Sequence, residues 1–483
     1  MQNICAVSSL APYAPTPEQW TASKVKHLYR RIGYGASYDQ IMEGLSLSPT
    51  ELVENLLNTA LSTPIPDTPF WSDYTSDEYE DNFELYYEHQ QSVKYDWVAR
   101  SFTNPFQAKM ALFWHDHFAT EKGVYGCNSS MWYYFKLLNE EAFGNFRSFV
   151  EKMGINKAML VYLDGNDNIA SQPNENYARE LMELFTMGEG NGYTQTDIEE
   201  VARALTGYRM QQYNCTDVYY DESYHDADLK TIFGQTGNFN YDDVHELIFT
   251  LRADETAQYI CTKLYQHFVY HEPNKEIVNE LAETFKTNNW EIAPVIEQLL
   301  KSEHFYDDSL IGSRIKHPIE LIVNLLTPIG VDVYSDFQEG FLDYSTYSSE
   351  DMGMELFDPP NVAGWPGHRI WLSENALTYR WTFCSTIIRY YLNGIGGEKL
   401  RQLALLLSGG SNDPVQIASD MADHFLAINL DPELKEVATL FLKAGIPENY
   451  FDDGSWNLNW EEATDQLINL LAYFIQIPEM QLA

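Results

Sequence analysis

Residues 50–61, Thr-Glu-Leu-Val-Glu-Asn-Leu-Leu-Asn-Thr-Ala-Leu, decide the fold class. Leu52, Val53, Leu56, Leu57 and Ala60 recur at i, i+3 and i+4 behind Ser48-Pro49-Thr50, which is the signature of an amphipathic helix with a capped start. The same period returns at residues 276–287, 291–302, 397–407, 414–428, 432–444 and 461–476, whereas strict alternation is rare. The spacing therefore predicts a mainly α protein. An N-terminal tail over 1–23 leads into one large multi-helical body over 24–480, and a sub-domain boundary fits best near 244–255.

Three stretches break the helical period. Residues 62–83, rich in Pro, Asp, Ser and Tyr, read as a surface loop. Residues 209–243 mix aromatics with Asn, Gly and Asp, which predicts a small hairpin or irregular insert. Residues 351–372 contain Asp358-Pro359-Pro360-Asn361 and Gly364-Trp365-Pro366-Gly367, and a rigid, aromatic-rich loop is expected because these residues fix turns.

Charge and composition exclude several function classes. Against 71 Asp and Glu stand only 30 Lys and Arg, a formal charge of −41, so nucleic acid is not an expected partner. The only short basic cluster is Lys24, Lys26, Arg30 and Arg31. Because 45% of the residues are hydrophobic, the chain is a folded protein rather than a disordered acidic one. Apolar runs such as Leu470 to Ile475 fall well short of the roughly 18–20 residues of a membrane span, so none is expected. Cys5, Cys127, Cys215, Cys261 and Cys384 have no Cys-x-x-Cys spacing and indicate neither a zinc ribbon nor a dense disulfide framework. Met1 to Ala14 lacks Lys and Arg and makes a poor secretory signal. Gly-x-Ser-x-Gly, phosphate-loop and His-Glu-x-x-His motifs are also missing from the sequence.

The chemistry-bearing candidates lie in three segments. In residues 174–188 a helical wheel puts Tyr177, Ala178, Leu181, Met182, Leu184 and Phe185 on one arc, and Glu175, Asn176, Arg179, Glu180 and Glu183 on the other, with Gly188 expected just past the end. This arc reads either as a solvated acidic face with Arg179 ion pairs or as part of a site. Phe113-Trp114-His115-Asp116-His117-Phe118 lies in a nearly all-apolar helix, so its imidazoles need partners. On a regular helix His115 and His117 point to opposite sides, which favours one facing the acidic surface of 174–188 and the other bonded in the core. His225 with Asp226 and Lys230 forms the third group. Convergence of His115 or His117 with Glu180, Glu183 and His225 would give nitrogen and oxygen ligands suited to Zn, Mn or Fe and able to activate water. Asp164, Asn166, Asn168 and Glu175 match a calcium-loop spacing more weakly, because Ile169 stands where that loop needs Gly.

Several of these motifs, in this order, carry a family resemblance. His27-Leu28-Tyr29-Arg30-Arg31-Ile32-Gly33-Tyr34-Gly35, the Trp114-His115-Asp116-His117 segment, Asn174 to Leu184, Tyr193-Thr194-Gln195 and Ala202 to Gly207 resemble the bacterial domain-of-unknown-function 1800 family. Lys316-His317-Pro318-Ile319-Glu320 and Pro359 to Gly367 with Trp371 continue the pattern, and the resemblance covers roughly residues 24–480. It implies an exported protein, periplasmic or extracellular, and a sulfatase-like partner protein. It also singles out His115, His117, Glu175, Arg179, Glu180, Glu183, His225 and Asp226 as a shared site.

The leading expectation is a metal-dependent enzyme, most simply a hydrolase. His115, His117, Glu180, Glu183 and His225 would hold the ion, Arg179 would bind an anionic group, and Asp226 or Glu175 would orient or act as general base. Two rival readings remain open. One is a non-catalytic export or assembly partner whose polar cluster is an ion-pair network. The other is carbohydrate binding, with stacking platforms around Trp365 and Trp371.

Overall fold

The computed structural model describes residues 7–80, 82–336, 340–392 and 395–483. Cys5 and the first six residues of the expected tail lie outside the described residues. The architecture is mainly α, as the periodicity predicts, and the described β structure comprises two small antiparallel pairs and isolated bridges.

The helices start and stop where local chemistry dictates. Ser48 caps Pro49–Leu61 through a reciprocal pair with Glu51, and Leu52, Val53, Leu57 and Ala60 are its buried face. Asp413 and Asp431 cap Pro414–Phe425 and Pro432–Lys443, each with proline in the first turn. Lys275–Thr287, Ile292–Lys301, Ile395–Leu407 and Ala463–Phe474 fill the remaining periodic stretches. The insert pairs Tyr208 with Tyr220 and Arg209 with Tyr219, then Lys230 with Gly237 through Ile232 with Gln235. Phe233 and Gly234, both at positive φ, turn this second hairpin.

The buried apolar residues form one cluster that runs from Leu10 to Met480. At its centre lies Pro105–His117, in which every residue from Phe106 to His115 is buried. It packs against Ala22–Ile32, Pro49–Leu61, Phe83–Thr103 and Asn128–Glu140. Burial of each large side chain contributes on the order of 1.5–3 kcal/mol, so a helix apolar on every side has no stable place except the interior. The chain's end holds a second element in place: Lys316 N–H donates to Gln481 O at 2.8 Å and Ala483 N–H to Arg314 O at 2.8 Å.

A disulfide joins Cys127, at the start of Asn128–Glu140, to Cys215 in the insert, 88 residues later. No local spacing announces it. Among the described residues no helix is long and apolar enough to cross a membrane.

Candidate active site

The three residues His115, Asp116 and His117 fan out to different elements. His115 Nε2 accepts the Phe357 N–H at 2.9 Å, so its proton sits on Nδ1, which donates to Tyr134 Oη at 2.7 Å. The Tyr134 hydroxyl in turn donates to Phe118 O at 2.8 Å. Both ring nitrogens are thus used, and burial pushes the imidazole down to about 3. His115 is a neutral anchor for the 351–372 loop and has no lone pair left for a metal. His117 Nε2–H donates to Phe185 O at 3.0 Å, and Nδ1 lies 3.2 Å from Lys263 Nζ. It reaches the 174–188 segment through that segment's buried side, not through the acidic surface expected from the sequence.

The acidic arc faces elsewhere. Arg179 bonds Glu175 at 2.9 Å, Glu183 at 3.2 Å and Gln195 at 3.0 Å in a half-exposed ladder. The guanidinium is therefore committed, and Glu175 and Glu183 are its partners rather than ligands. Glu180 lies by Tyr162 and Tyr259, its carboxyl raised by burial and by Glu183. The segment is not one continuous α-helix either. Asn176–Glu180 is α, and Leu181–Thr186 widens to i→i+5 hydrogen bonding, with Met187 N–H donating to Met182 O and Thr186 Oγ1 to Leu181 O. Gly188, at φ +89°, follows the helix end as the spacing predicts.

The third group is separate again. His225 Nδ1 is bonded to Thr206 O at 3.0 Å, and Asp226 takes Arg203 Nε at 2.7 Å and Nη2 at 3.2 Å. Burial works to raise the Asp226 carboxyl, and the hydrogen bonds from Arg203 and the Asp228 N–H outweigh it and hold the group low. The calcium-like loop spends its oxygens locally: Asp164 on Asn176, and Asn168 on the Asn174 N–H. Among the described residues no three His, Cys, Asp or Glu side chains are arranged to hold a metal ion. The residues expected as ligands do not fit the Zn, Mn or Fe site, because His115, His117, Glu183 and His225 are each bonded to a different neighbour and Glu180 meets none of the histidines in a shared group.

What does converge is a cavity of about 380 Å³ walled by the Asp116 end of Pro105–His117, Ala253–Phe268, the 313–317 segment and the 351–372 loop. In Ala253–Phe268, Ala257, Ile260, Cys261, Leu264, Tyr265 and Phe268 face the core, which leaves Lys263, Gln266 and His267 on the cavity side. His117, His271, Arg314, His317 and His368 complete the polar lining. Trp365 and Trp371, read from the sequence as sugar platforms, are buried wall residues at 7% and 6% exposure.

The loop is moulded onto Asp116. Trp365 N–H donates to Asp116 Oδ1 at 2.7 Å, and Gly364, at φ +82°, leaves room where a Cβ would overlap that carboxylate and its backbone oxygen. Burial raises the Asp116 carboxyl to about 6, opposed by the Trp365 hydrogen bond and by Lys263. The Lys263 amine is lowered by burial, with Asp116 opposing. An acid and an amine are thus brought toward neutrality in one cavity, with a neutral imidazole holding the amine.

Behind the wall is a buried ionic group. Glu320 takes Lys109 as a direct ion pair and stands 3.6 Å from Arg314. Its other oxygen accepts the His317 N–H at 3.0 Å, so Glu320 also closes the capping box of Pro318–Leu326. Lys109 donates in addition to Arg30 O and Gly33 O, at 2.9 and 2.8 Å. The carboxyl is held well below its usual range despite burial, by His317, Lys109 and Arg314.

A family model described as "Protein of unknown function (DUF1800)" matches residues 27–482. The chain belongs to the DUF1800 family. No curated protein and no solved structure matches it. Within the DUF1800 motifs the sequence reading picked the histidines and missed the aspartate between them, because an imidazole is the commoner ligand while a helix gives each successive residue a different direction. Lys263 and His267 form an i, i+4 pair on the polar side of Ala253–Phe268, although nothing in that spacing says what they face.

Proposed function

We propose that this DUF1800 protein is an acid–base enzyme, most simply a hydrolase, acting on a small molecule held in the Asp116 cavity. The observation that carries the reading is the placement of Lys263 Nζ 3.2 Å from His117 Nδ1 in the wall that also holds Asp116. Asp116, raised to about 6, takes a proton from water or a substrate hydroxyl at neutral pH. Trp365 N–H fixes its Oδ1 and leaves Oδ2 with no protein donor among the described residues. Lys263 returns a proton to the leaving group, and His117, its tautomer set by Phe185 O, positions that amine. The cavity is of the size that encloses a small metabolite.

This keeps the hydrolase class expected from the sequence and moves the base from Asp226 or Glu175 to Asp116. The Cys127–Cys215 disulfide supports a periplasmic or extracellular location, since such bonds persist in oxidising compartments. The test is release of nitrophenol from a panel of nitrophenyl acetate, phosphate and sulfate esters and nitrophenyl glycosides. Asp116→Asn and Lys263→Met should each lower turnover by about 10²-fold or more with folding intact. Turnover unchanged in both variants would refute the reading. A non-catalytic role beside a sulfatase-like partner predicts the opposite: partner capture without turnover, indifferent to both substitutions.

A further inference from the structure

We propose that Arg314, His267 and His317 form an oxyanion subsite in the same cavity, so that the ligand carries a carboxylate, sulfate or phosphate group. The proposal takes the acid–base reading above as the reacting end of the same ligand.

Three observations converge on it. Arg314 Nη1, His267 Nε2 and His317 Nε2 are each buried with no hydrogen-bond partner among the described residues, Arg314 Nη1 and His317 Nε2 standing 3.6 and 3.7 Å from the Glu320 carboxylate, and all three residues line the cavity. A native interior rarely leaves such atoms without a hydrogen bond, and three in one wall, two of them beyond hydrogen-bond distance of a single shared carboxylate, leave room for a further acceptor. The chemistry of the atoms sets the sign of that acceptor. A guanidinium only donates, and His317 Nδ1 already accepts the Glu320 N–H, so its Nε2 carries the proton and donates as well. Finally, the wall is cationic in a chain of formal charge −41. Glu320 is one carboxylate against Lys109 and Arg314, and His317 opens the helix Pro318–Leu326, whose positive end adds to the field.

Proton uptake should accompany binding. His267 is faced by Arg314, Lys109, Glu320 and His317, and His317 by Glu320, Lys109, Arg314 and Arg380. Asp116 and Lys263 face the same cavity from the other elements. Burial and the surrounding cations keep both imidazoles neutral in the free protein. A bound oxyanion reverses that balance at His267 and favours its protonated form, whereas His317 Nδ1 stays the acceptor of the Glu320 N–H and the ring remains neutral.

The experiment is calorimetric titration of the full chain with inorganic sulfate, inorganic phosphate and acetate, at about pH 6 and about pH 8 and in two buffers of different ionisation enthalpy. At least one probe should bind, and the one preferred identifies which oxyanion the site takes. Arg314→Gln should weaken that binding at least about tenfold, as expected when a charged donor is removed. Sulfate, which does not titrate in this range, serves the pH comparison if it binds, and acetate otherwise. Affinity should rise toward the lower pH with net proton uptake, and His267→Gln should abolish the uptake. His267 is only partly buried, so this variant carries the test if Arg314→Gln fails to fold. Failure of the folded wild type to bind any of the three, or binding and proton uptake unchanged in His267→Gln, would overturn the proposal. Asp116→Asn should retain the anion. Anion binding without turnover therefore counts against the acid–base reading alone, and turnover without anion binding against the subsite alone.

Discussion

Replacing Asp116 by Asn should make the protein more stable and less active at once. Asp116 has its carboxyl raised to about 6 in the fold, against about 3.9 in an unfolded chain. A raised folded value means that the native state binds the proton more tightly. The contribution is fully present below about pH 4 and is lost as the pH climbs through about 6. The two-unit difference corresponds to about 3 kcal/mol in total, of which roughly half falls between pH 5 and pH 8. Asn keeps the Oδ1 acceptor for Trp365 N–H and removes the cost of a buried carboxylate. Lost attraction to Lys263 trims the gain, so about 2 kcal/mol of added stability is expected near pH 8 and distinctly less near pH 5. Urea unfolding of wild type and Asp116→Asn across that range measures it directly. A variant that is less stable than wild type near pH 8, or whose difference from it is flat with pH, would show that the carboxylate is not held under strain and that its role is structural.

Other substitutions separate the cavity from the residues the sequence favoured. Gly364→Ala should cost about 1–3 kcal/mol, since it meets both a left-handed φ and the Asp116 carboxylate; Gly190→Ala, at φ +68° in open space, is the control, and thermal melting compares them. His115→Phe should cost about 2–4 kcal/mol by orphaning Phe357 N–H and removing the donor to Tyr134 Oη, while elemental analysis finds the same metal content as in wild type. Arg179→Ala should change stability by less than about 1 kcal/mol because its ion pairs are half-exposed, and turnover of any substrate found should not move. Glu320→Gln should cost about 3–5 kcal/mol in denaturant unfolding, because Lys109 is left buried without its counter-charge.

The sequence by itself determined the helices, their caps and the places where they stop. Ser48 with Glu51, or Leu52 with Leu57, are local pairs whose geometry the backbone period dictates within one or two turns. The same holds for the Pro and Gly residues of 351–372, which forbid a helix regardless of what surrounds them. Only the tertiary structure decided that Asp116, Lys263, Arg314 and Trp365 meet around one cavity. It also sent the Arg179 ladder to the surface, used up both nitrogens of His115 and paired Cys127 with Cys215. Those outcomes turn on which buried faces pack together across hundreds of residues. The apolar side chains that drive the packing are interchangeable in kind, so they carry no label naming their partners.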